Sequence, residues 1–411
     1  MTATALQQEE HLPEAIVCKW CGKSFHYLKS HISMGRCENI PESAKGLDVD
    51  EVVKMYTTAF PDEPTISRTA LAKLNEKRAE KHSGEGKVAE ISAHPCYAGT
   101  VEYKTELVAA HELLGVTIKE LGTPRGKPLQ VTVNVNTPYP EFVPEAKKNY
   151  VYGDFDLIKD IFMMLEIGIP GYLWGHAGTG KSSLPTQLCA LLNRPLIRAQ
   201  HTASMEEAHV TGQILARDGS TYFEPGLLAL AMKNGWVYLA DEYDFAFPQI
   251  LGVYQPVLEG EPLIIKEATP DWRRITPHKR FAFIGTGNTN GSGDETGLYQ
   301  GTNIQNAANF SRFGIVSNVK YMSTKAEVNM LAEAGVIREY AEKMVKFANL
   351  VREGYEQHLI SQPIGPRELL LSAKIGMMRG DFSAGIEKSF INKLPSTSAQ
   401  AAREVVQKIF G

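Results

Sequence analysis

The sequence predicts an α/β fold, in which a parallel sheet carries a phosphate-binding loop and a helical lid follows at the C-terminal end. Three observations lead to this fold class. The apolar run Gly171–Trp174 is followed by a glycine-rich loop and then by a stretch with helical spacing. Two further apolar runs, 236–240 and 280–287, end in polar residues, as buried strands do at the edge of a parallel sheet. Beyond residue 323, apolar residues recur at helical spacing.

Length, charge and cysteine content limit the classes of protein to which this chain can belong. The 411 residues suffice for two or three domains, and the formal net charge of −4 argues against a protein that coats nucleic acid over its whole surface. No apolar run is long enough to cross a bilayer, so we expect no membrane partner and a cytoplasmic location. Three of the five cysteines lie between residues 18 and 37, which favours a metal site over a disulfide framework.

The N-terminal segment has the ligand spacing of a small zinc site. Cys18 and Cys21 form a C-x-x-C knuckle, and a short helix would return His31 and Cys37 to the same tetrahedral centre. His26 is an alternative fourth ligand, although its place on the turn before the helix favours an exposed side chain. Because so short a segment buries little apolar surface, we expect its fold to depend on Zn²⁺. The alternative is an unstructured tail with accidental cysteines.

The pattern C-x-x-C-G-K-x-F-x-x-L-x-x-H from Cys18 to His31 resembles the single zinc fingers of the Ros/MucR type, with Cys37 in place of that family's second histidine. Phe25 and Leu28 would form the small core of this finger. The segment contains no acidic residue between its first and last cysteine, which permits contacts with DNA phosphates and equally with an acidic protein. Its cations are Lys19, Lys23, Lys29 and Arg36.

We expect four segments along the chain: the finger at 1–45, a helical or mixed adaptor with a linker at 46–134, the α/β core at 135–322 and the helical lid at 323–411. Within the adaptor, the spacing predicts helices over 47–58, 67–80 and 106–114 and a strand over 129–135. The polar stretch 81–86 reads as a linker.

The loop G-H-A-G-T-G-K-S fits the phosphate-binding template G-x-x-x-x-G-K-[ST] at every fixed position. Its glycines let backbone N–H groups point at phosphate oxygens, and the helix that follows adds its positive N-terminal dipole. Lys181 is expected to reach the β- and γ-phosphates of ATP, and the Ser182 hydroxyl to bind Mg²⁺. The predicted nucleotide-binding residues of this loop are Gly175, His176, Ala177, Gly178, Thr179, Gly180, Lys181, Ser182 and Ser183.

Two strand ends supply the groups that hydrolysis needs. The run Trp236–Ala240 delivers Asp241 and Glu242, a Walker B arrangement in which Asp241 holds Mg²⁺ through water and Glu242 polarises the attacking water. Asn288 follows the run 280–287, where its amide would orient that water against the γ-phosphate.

These motifs, in this order, resemble the AAA+ ATPases. The resemblance implies that Arg312, which follows a predicted helix, acts as an arginine finger on the neighbouring subunit's nucleotide, and that Arg367 is a sensor-2 arginine of the lid. It also suggests that Tyr152 stacks on the adenine. A predicted hairpin over 214–223 would be an insertion into the second helix, as in the MoxR clade, and a second insertion spans 260–279.

Four runs within residues 135–340 resemble the cobaltochelatase small subunit CobS more specifically: 241–244, 255–259, 287–289 and the signature G-D-E-T-G-L-Y-Q-G-T at 293–302. This resemblance implies a MoxR-type ring, expected to be a homo-hexamer, that works with a von Willebrand A-domain partner of the CobT kind. The chain departs from the family by its finger, its adaptor and the residues before Arg312, which puts a corrinoid substrate in doubt. A phage-borne relative of CobS fits the same signature.

The main hypothesis is therefore a Mg²⁺-dependent ATPase ring that remodels or activates a protein partner. The alternative is a DNA-associated ATPase that is targeted by its zinc finger, which stimulation by DNA would favour. A non-catalytic scaffold that uses nucleotide only for assembly fits poorly, because Asp241, Glu242 and Asn288 are all present.

Overall fold

The computed structural model describes residues 13–73, 102–217 and 219–411, and the chain divides into two compact units between His94 and Pro95. Each unit has a hydrophobic core of its own. The helix predicted over 67–80 is described only as far as residue 73, and the linker predicted at 81–86 lies outside the described residues.

The N-terminal unit combines a short hairpin with two helices. These elements are β1 (Ile16–Val17), β2 (Ser24–Phe25), α1 (Leu28–Ser33) and α2 (Val49–Ala59). β1 and β2 pair antiparallel, and Gly22 permits the turn between them with a φ of 72°. Phe25 and Leu28 are buried as predicted, together with Tyr56 of α2. The Tyr56 hydroxyl accepts a hydrogen bond from the Lys19 N–H at 3.0 Å, which ties α2 to the cysteine knuckle.

The second unit begins with a hairpin, continues into an α/β layer and ends in helices. Up to the end of the sheet its elements are β3 (Thr105–Ala109), α3 (Ala110–Leu114), β4 (Gln130–Asn134), α4 (Phe155–Ile167), β5 (Gly171–Trp174), α5 (Ser183–Leu191), β6 (Leu196–Gln200), α6 (Glu207–Thr211), β7 (Gly212–Arg217), β8 (Ser220–Pro225), α7 (Leu227–Asn234), β9 (Val237–Asp241), α8 (Pro248–Leu251), α9 (Gln255–Leu258), β10 (Leu263–Ile264), α10 (Pro270–Arg273), β11 (Arg274–Ile275), β12 (Ala282–Gly287), α11 (Ala307–Phe310) and β13 (Ile315–Asn318). The helices that follow are α12 (Thr324–Glu333), α13 (Arg338–Glu356), α14 (Pro366–Arg379), α15 (Phe382–Ser389) and α16 (Ser396–Phe410).

Five of these strands form one parallel sheet in the order β13-β5-β12-β9-β6, which confirms the predicted α/β class. The interior strand β9 is buried throughout: Val237 and Leu239 face the core that contains α4 and α5, whereas Tyr238 and Ala240 face the core that contains α7. Burial on both faces explains why this strand is a continuous apolar run in the sequence. The shared direction also places the carboxyl ends of the strands at one edge of the sheet.

The two predicted insertions are both hairpins. β7 and β8 pair antiparallel over six residues, as expected for the insertion at 214–223. The base of this hairpin requires glycine, because a Cβ on Gly212, whose φ is 124°, would lie 2.5 Å from the Phe223 ring. The second insertion contains the β10–β11 pair and α10.

The helix predicted over 106–114 is wrong in its first half. Residues 105–109 form β3, which pairs antiparallel with β4, and only the last five residues form a helix, α3. The strand predicted over 129–135 is present as β4. Pairing with β4 is a long-range interaction that outweighs the local spacing of apolar residues in so short a segment.

The C-terminal segment is helical, as predicted, and α12 to α16 share one apolar core. A buried ion pair links its first elements. Glu327 of α12 is fully buried and accepts two hydrogen bonds from the Arg352 guanidinium of α13, at 2.8 and 2.7 Å. Arg352 also donates from Nε to the carbonyl of Ile364 at 3.0 Å, so it joins α12, α13 and the turn before α14.

Glu327→Gln should destabilise the lid, because Arg352 would remain buried without its carboxylate. The free energy of unfolding of the lid should fall by about 3–5 kcal/mol, measured by urea denaturation with circular dichroism. Glu387→Gln is the matched control, since its partner Arg403 is 52% exposed and an ion pair screened by solvent contributes little to stability. Equal losses in the two variants would show that Arg352 does not depend on Glu327.

Candidate functional site

The predicted functional motifs meet at the carboxyl edge of the parallel sheet. The loop 175–182 follows β5, the acidic pair lies at the end of β9, and Asn288 comes directly after β12. In open α/β sheets this edge is where ligands bind.

Lys181 lies inside the glycine-rich loop. Its ammonium group donates to the carbonyls of Gly175 and His176, at 2.7 and 2.8 Å, and to Oδ1 of Asn288 at 3.1 Å. Burial lowers the pKa of Lys181 to about 8, and the nearby carboxylates of Asp244, Asp241 and Glu242 oppose that shift. A buried cation that is held only by neutral acceptors is suited to bind an anion, because phosphate oxygens would compensate its charge better than carbonyls do.

The Ser182 hydroxyl and the Asp241 carboxylate lie side by side. Ser182 Oγ and Thr286 Oγ1 both donate to Asp241 Oδ1 at 2.5 Å, and Arg198 donates from Nε to the other oxygen, Oδ2, at 2.7 Å. Burial raises the pKa of Asp241, but these three hydrogen-bond donors more than compensate, and its pKa lies below the usual value. The carboxylate is therefore ionised. A hydroxyl next to a carboxylate is a donor set that suits Mg²⁺, a hard cation that prefers oxygen ligands.

Glu242 differs from its neighbour in both conformation and exposure. It is exposed, and its backbone has a φ of 52°, a left-handed conformation that residues other than glycine seldom adopt. Its carboxylate accepts a hydrogen bond from Gln200 Nε2 at 2.6 Å. Burial and the charges of Asp241 and Asp244 raise the pKa of Glu242. A carboxylate of raised pKa at a strained position is typical of a general base.

Asp244 was not singled out for a role in the sequence, yet it fixes the segment that carries Asn288. Its Oδ2 accepts hydrogen bonds from the N–H groups of Asn288 and Thr289, at 2.8 and 2.9 Å, and from the Thr289 hydroxyl at 3.0 Å. Burial raises the pKa of Asp244. The sequence signal was the second aspartate of the pattern D-E-Y-D. In the structure Asp244 is buried in a turn directly after β9.

The signature at 293–302 contacts the phosphate-binding loop through one side chain. The Tyr299 hydroxyl lies 2.9 Å from Nδ1 of His176 and accepts a hydrogen bond from the Ala177 N–H at 3.1 Å. Asp294 caps the segment by accepting from the N–H groups of Thr296 and Tyr299. The sequence of this segment resembles CobS, but its contact with the phosphate-binding loop becomes evident only in the fold.

The loop is also connected to the lid. The His176 ring lies parallel to Tyr321, with centroids 5.9 Å apart, and edge-on to Tyr355 of α13 at 5.7 Å. Arg352 covers the Tyr321 ring at 4.0 Å from its centroid. The buried ion pair of the lid is thus two side chains away from the phosphate-binding loop.

A cavity of about 400 Å³ opens beside the loop. Thr179 and Leu184 line it on the loop side, and Tyr150 and Tyr321 contribute aromatic rings. Tyr152, the residue predicted to stack on the adenine, is not in the lining, and its ring packs against Tyr150 with centroids 5.0 Å apart.

The two predicted arginines lie in different surroundings. Arg367 is the second residue of α14, and its Cβ lies next to Gly178, where an added Cβ would be 3.4 Å away. Arg312 follows α11 and donates from Nε to Glu259 at 2.7 Å and from Nη1 to the carbonyl of Ala308 at 2.5 Å. Arg367 therefore belongs to the edge of this site, whereas Arg312 is engaged away from it.

The four predicted zinc ligands come together in the N-terminal unit. The ligand atoms of Cys18, Cys21, His31 and Cys37 all lie within 4.8 Å of one another. The Cys18 and Cys37 sulfurs are 3.7 Å apart, and a tetrahedral Zn²⁺ with Zn–S bonds of about 2.3 Å requires about 3.8 Å. Burial raises the pKa of Cys37 to about 12, a cost that a bound divalent cation would offset.

The alternative ligand His26 lies outside this cluster. Its Nδ1 is 3.1 Å from both the Glu14 carbonyl and the Ser67 hydroxyl. The geometry of the cluster fits Zn²⁺ with the first set of ligands.

The basic character expected of the finger is largely cancelled by its surroundings. Lys19 pairs with Glu63 at 2.8 Å, Lys29 with Asp50 at 2.5 Å, and Lys23 with Glu38. Residues 13–73 contain eight Lys and Arg and eight Asp and Glu, so this stretch has no formal net charge. The acidic partners lie outside the segment between the cysteines, where the sequence pattern of the finger gave no sign of them.

Among the residues that the structure describes, no helix combines the length and the apolar character required to span a membrane.

Residues 172–302 match the family model of the AAA domain, dynein-related subfamily. The chain is 32% identical over 249 residues to the aerobic cobaltochelatase subunit CobS of a Sinorhizobium species, an alignment that covers 58% of this chain and 74% of that protein. It is 23% identical over 265 residues to an uncharacterized protein of Staphylococcus aureus, covering 62% of this chain and 96% of the relative.

Among solved structures, the RuvB Holliday junction branch migration motor of Thermotoga maritima is 13% identical. That similarity covers 65% of this chain and 72% of the other, with a TM-score of 0.38, which is too low to support an argument.

The sequence relationships confirm the predicted resemblance to CobS. The AAA match contains the phosphate-binding loop, the acidic pair after β9 and Asn288. The alignment with CobS extends over most of that protein. The chain therefore belongs to the family of the cobaltochelatase subunit CobS, and it is an ATPase of the AAA type.

Proposed function

We propose that the protein is a ring-forming, Mg²⁺-dependent motor. It hydrolyses ATP at sites that two neighbouring subunits share, and it uses the energy to remodel or activate a protein partner. One observation supports the hydrolytic part above all others. A buried ammonium group, a hydroxyl–carboxylate pair, an exposed carboxylate and an amide converge at one edge of the sheet, from Lys181, Ser182 with Asp241, Glu242 and Asn288.

Each side chain of this group has a role in the proposed reaction. Lys181 binds the β- and γ-phosphates in exchange for its present contacts with loop carbonyls. Ser182 and Asp241 would hold Mg²⁺, which neutralises phosphate charge when it is bound. Glu242 takes the proton of the attacking water, and Asn288 orients that water. Tyr150 and Tyr321, rather than Tyr152, would contact the base.

The two arginines divide between one subunit and the next. Arg367 lies beside the phosphate-binding loop of its own chain, so we assign it to the nucleotide of the same subunit. Arg312 is held by Glu259, away from its own loop, and we assign it to the nucleotide of a neighbouring copy. A site that needs an arginine from the next subunit requires a head-to-tail assembly, and we propose that this assembly closes into a homo-hexamer.

The partner is proposed from the family. The aligned relative is a subunit of a cobaltochelatase, and the resemblance to CobS implies a von Willebrand A-domain partner of the CobT kind. The proposal extends to the motor and to this type of partner, and not to a corrinoid substrate, because the chain carries an N-terminal unit of its own.

For the N-terminal unit we propose a zinc-stabilised docking module that binds protein. The proposal of zinc is supported by the four ligand atoms, which all lie within 4.8 Å of one another. DNA binding is less well supported, because Lys19, Lys23 and Lys29 are already paired with carboxylates. A surface without net charge has little of the electrostatic attraction on which DNA affinity depends.

Lys181→Ala should abolish binding of ATP and therefore its hydrolysis, because no other cation is buried in the loop. Glu242→Gln should bind ATP normally and hydrolyse it about a hundredfold or more slowly, since only the base is lost. Fluorescent-nucleotide binding and phosphate release measure the two steps separately. Glu261→Gln removes an exposed carboxylate elsewhere in the same unit and should behave as wild type. Normal turnover by Glu242→Gln would rule out the proposed base.

Arg312→Ala should lower the turnover number by about a thousandfold while nucleotide still binds. Mixing this variant with Lys181→Ala should restore part of the activity, because a mixed ring contains interfaces with an intact arginine facing an intact loop. Arg338→Ala, which removes an exposed arginine of α13, is the control and should retain full activity. The shared site is excluded if Arg312→Ala alone hydrolyses ATP at the normal rate or if mixing restores nothing.

The purified protein should contain about one zinc ion per chain, measured by mass spectrometry of the metal. Cys37→Ser should lose the zinc and unfold the N-terminal unit, because that unit has a small core of its own. His26→Ala is the control that discriminates between the two possible ligand sets, since His26 lies outside the cluster, and it should retain the metal. Full zinc content in Cys37→Ser would refute the assigned ligands.

A further inference from the structure

Arg198, at the centre of β6, donates two hydrogen bonds to the carboxylate of Asp241, the residue to which we assign Mg²⁺. Its Nε donates to Asp241 Oδ2 at 2.7 Å, and its Nη2 donates to the same oxygen. The Arg198 side chain is 56% exposed, whereas that of Asp241 is only 3% exposed. A solvent-facing cation therefore contacts one oxygen of a buried carboxylate.

All acceptor positions of Asp241 are occupied in this arrangement. A carboxylate has about four lone-pair positions. Two hydroxyls, Ser182 and Thr286, donate to Oδ1, and two N–H groups of Arg198 donate to Oδ2. A water molecule of a hydrated cation could not donate to Asp241 unless one of these partners leaves.

Of the three partners, only Arg198 is free to leave. Thr286 is buried in β12 and is 1% exposed. The Ser182 hydroxyl can continue to donate its hydrogen bond to Asp241 while a lone pair of its oxygen binds a metal ion, so Ser182 does not need to move. Displacement of Arg198 exchanges one cation for another at the same carboxylate, and the guanidinium moves into water, where it is well solvated.

We propose that Arg198 is a positioning residue that competes with Mg²⁺ for Asp241. In the nucleotide-free protein Arg198 holds the carboxylate ionised and correctly oriented, and it gives up Oδ2 when Mg²⁺ binds together with the nucleotide. This inference rests on the proposed function, since it takes Asp241 as the carboxylate that holds Mg²⁺. The competition sets the Mg²⁺ concentration at which the site becomes loaded.

The competition is tested with Arg198→Met in the full-length protein. The probe is a fluorescent ATP analogue, and the quantity measured is the Mg²⁺ concentration that gives half of the Mg²⁺-dependent gain in nucleotide affinity. This concentration should fall about tenfold, the equivalent of one charge-assisted hydrogen bond that no longer has to be broken. Affinity without added divalent cation should change less than about twofold, because Lys181 and the loop are unaltered.

Arg403→Met is the matched control: it also removes a half-exposed arginine that is paired with a carboxylate, Glu387, and should leave the Mg²⁺ dependence unchanged. Arg198→Lys, which keeps the charge but loses the two-pronged contact, should give an intermediate value and serves as the test if Arg198→Met does not fold. An unchanged or higher Mg²⁺ requirement in the variant that folds would overturn the proposal.

The same titration of the wild-type protein separates the two levels of inference. If wild-type binding shows no dependence on Mg²⁺, the proposed function fails at the metal site. If wild-type binding depends on Mg²⁺ and the Arg198 variants behave like wild type, only the competition fails.

Discussion

The parallel pairing of β5, β12 and β9 is the constraint on which the site depends. Each strand contributes one part of the chemistry at its carboxyl end: the loop with Lys181, the amide of Asn288, and the acidic pair that begins with Asp241. These residues are far apart in the sequence, and they meet only because the strands run in the same direction in adjacent positions. The apolar layers on both faces keep the sheet buried, so the register of the strands also fixes the relative positions of the side chains proposed for catalysis.

Within this frame, buried charges fix the geometry. Asp241 and Asp244 lie on the same side of the sheet with different partners: the first is held by hydroxyls and Arg198, the second by backbone N–H groups next to Asn288. The first carboxylate is the one proposed to hold Mg²⁺, and the second anchors the segment that carries Asn288. Two chemically identical side chains thus have separate tasks because their hydrogen-bond donors differ.

Much of this could be predicted from the sequence, because the loop, the acidic pair and the cysteine spacing are local patterns, although the cysteine segment left the fourth ligand open. What could not be predicted depended on contacts between distant segments. Arg198 reaches Asp241 only through the pairing of β6 with β9, the strand at 105–109 exists only because β4 pairs with it, and the lysines of the finger find carboxylates beyond the finger. Tyr152 packs against Tyr150, and spacing alone does not tell which ring of such an aromatic pair faces a cavity.

His176, Tyr321 and Arg352 form a chain of side-chain contacts that connects the phosphate-binding loop to the lid. The His176 ring lies parallel to the Tyr321 ring, and the Arg352 guanidinium covers Tyr321. Arg352 is itself held by the Glu327 carboxylate and by the carbonyl before α14. That carbonyl belongs to Ile364, shortly before Arg367, whose Cβ lies next to Gly178 of the phosphate-binding loop, so Arg352 is connected to the loop by a second set of contacts. A ligand that shifted His176 would therefore act on the same contacts that hold α12, α13 and the start of α14 together.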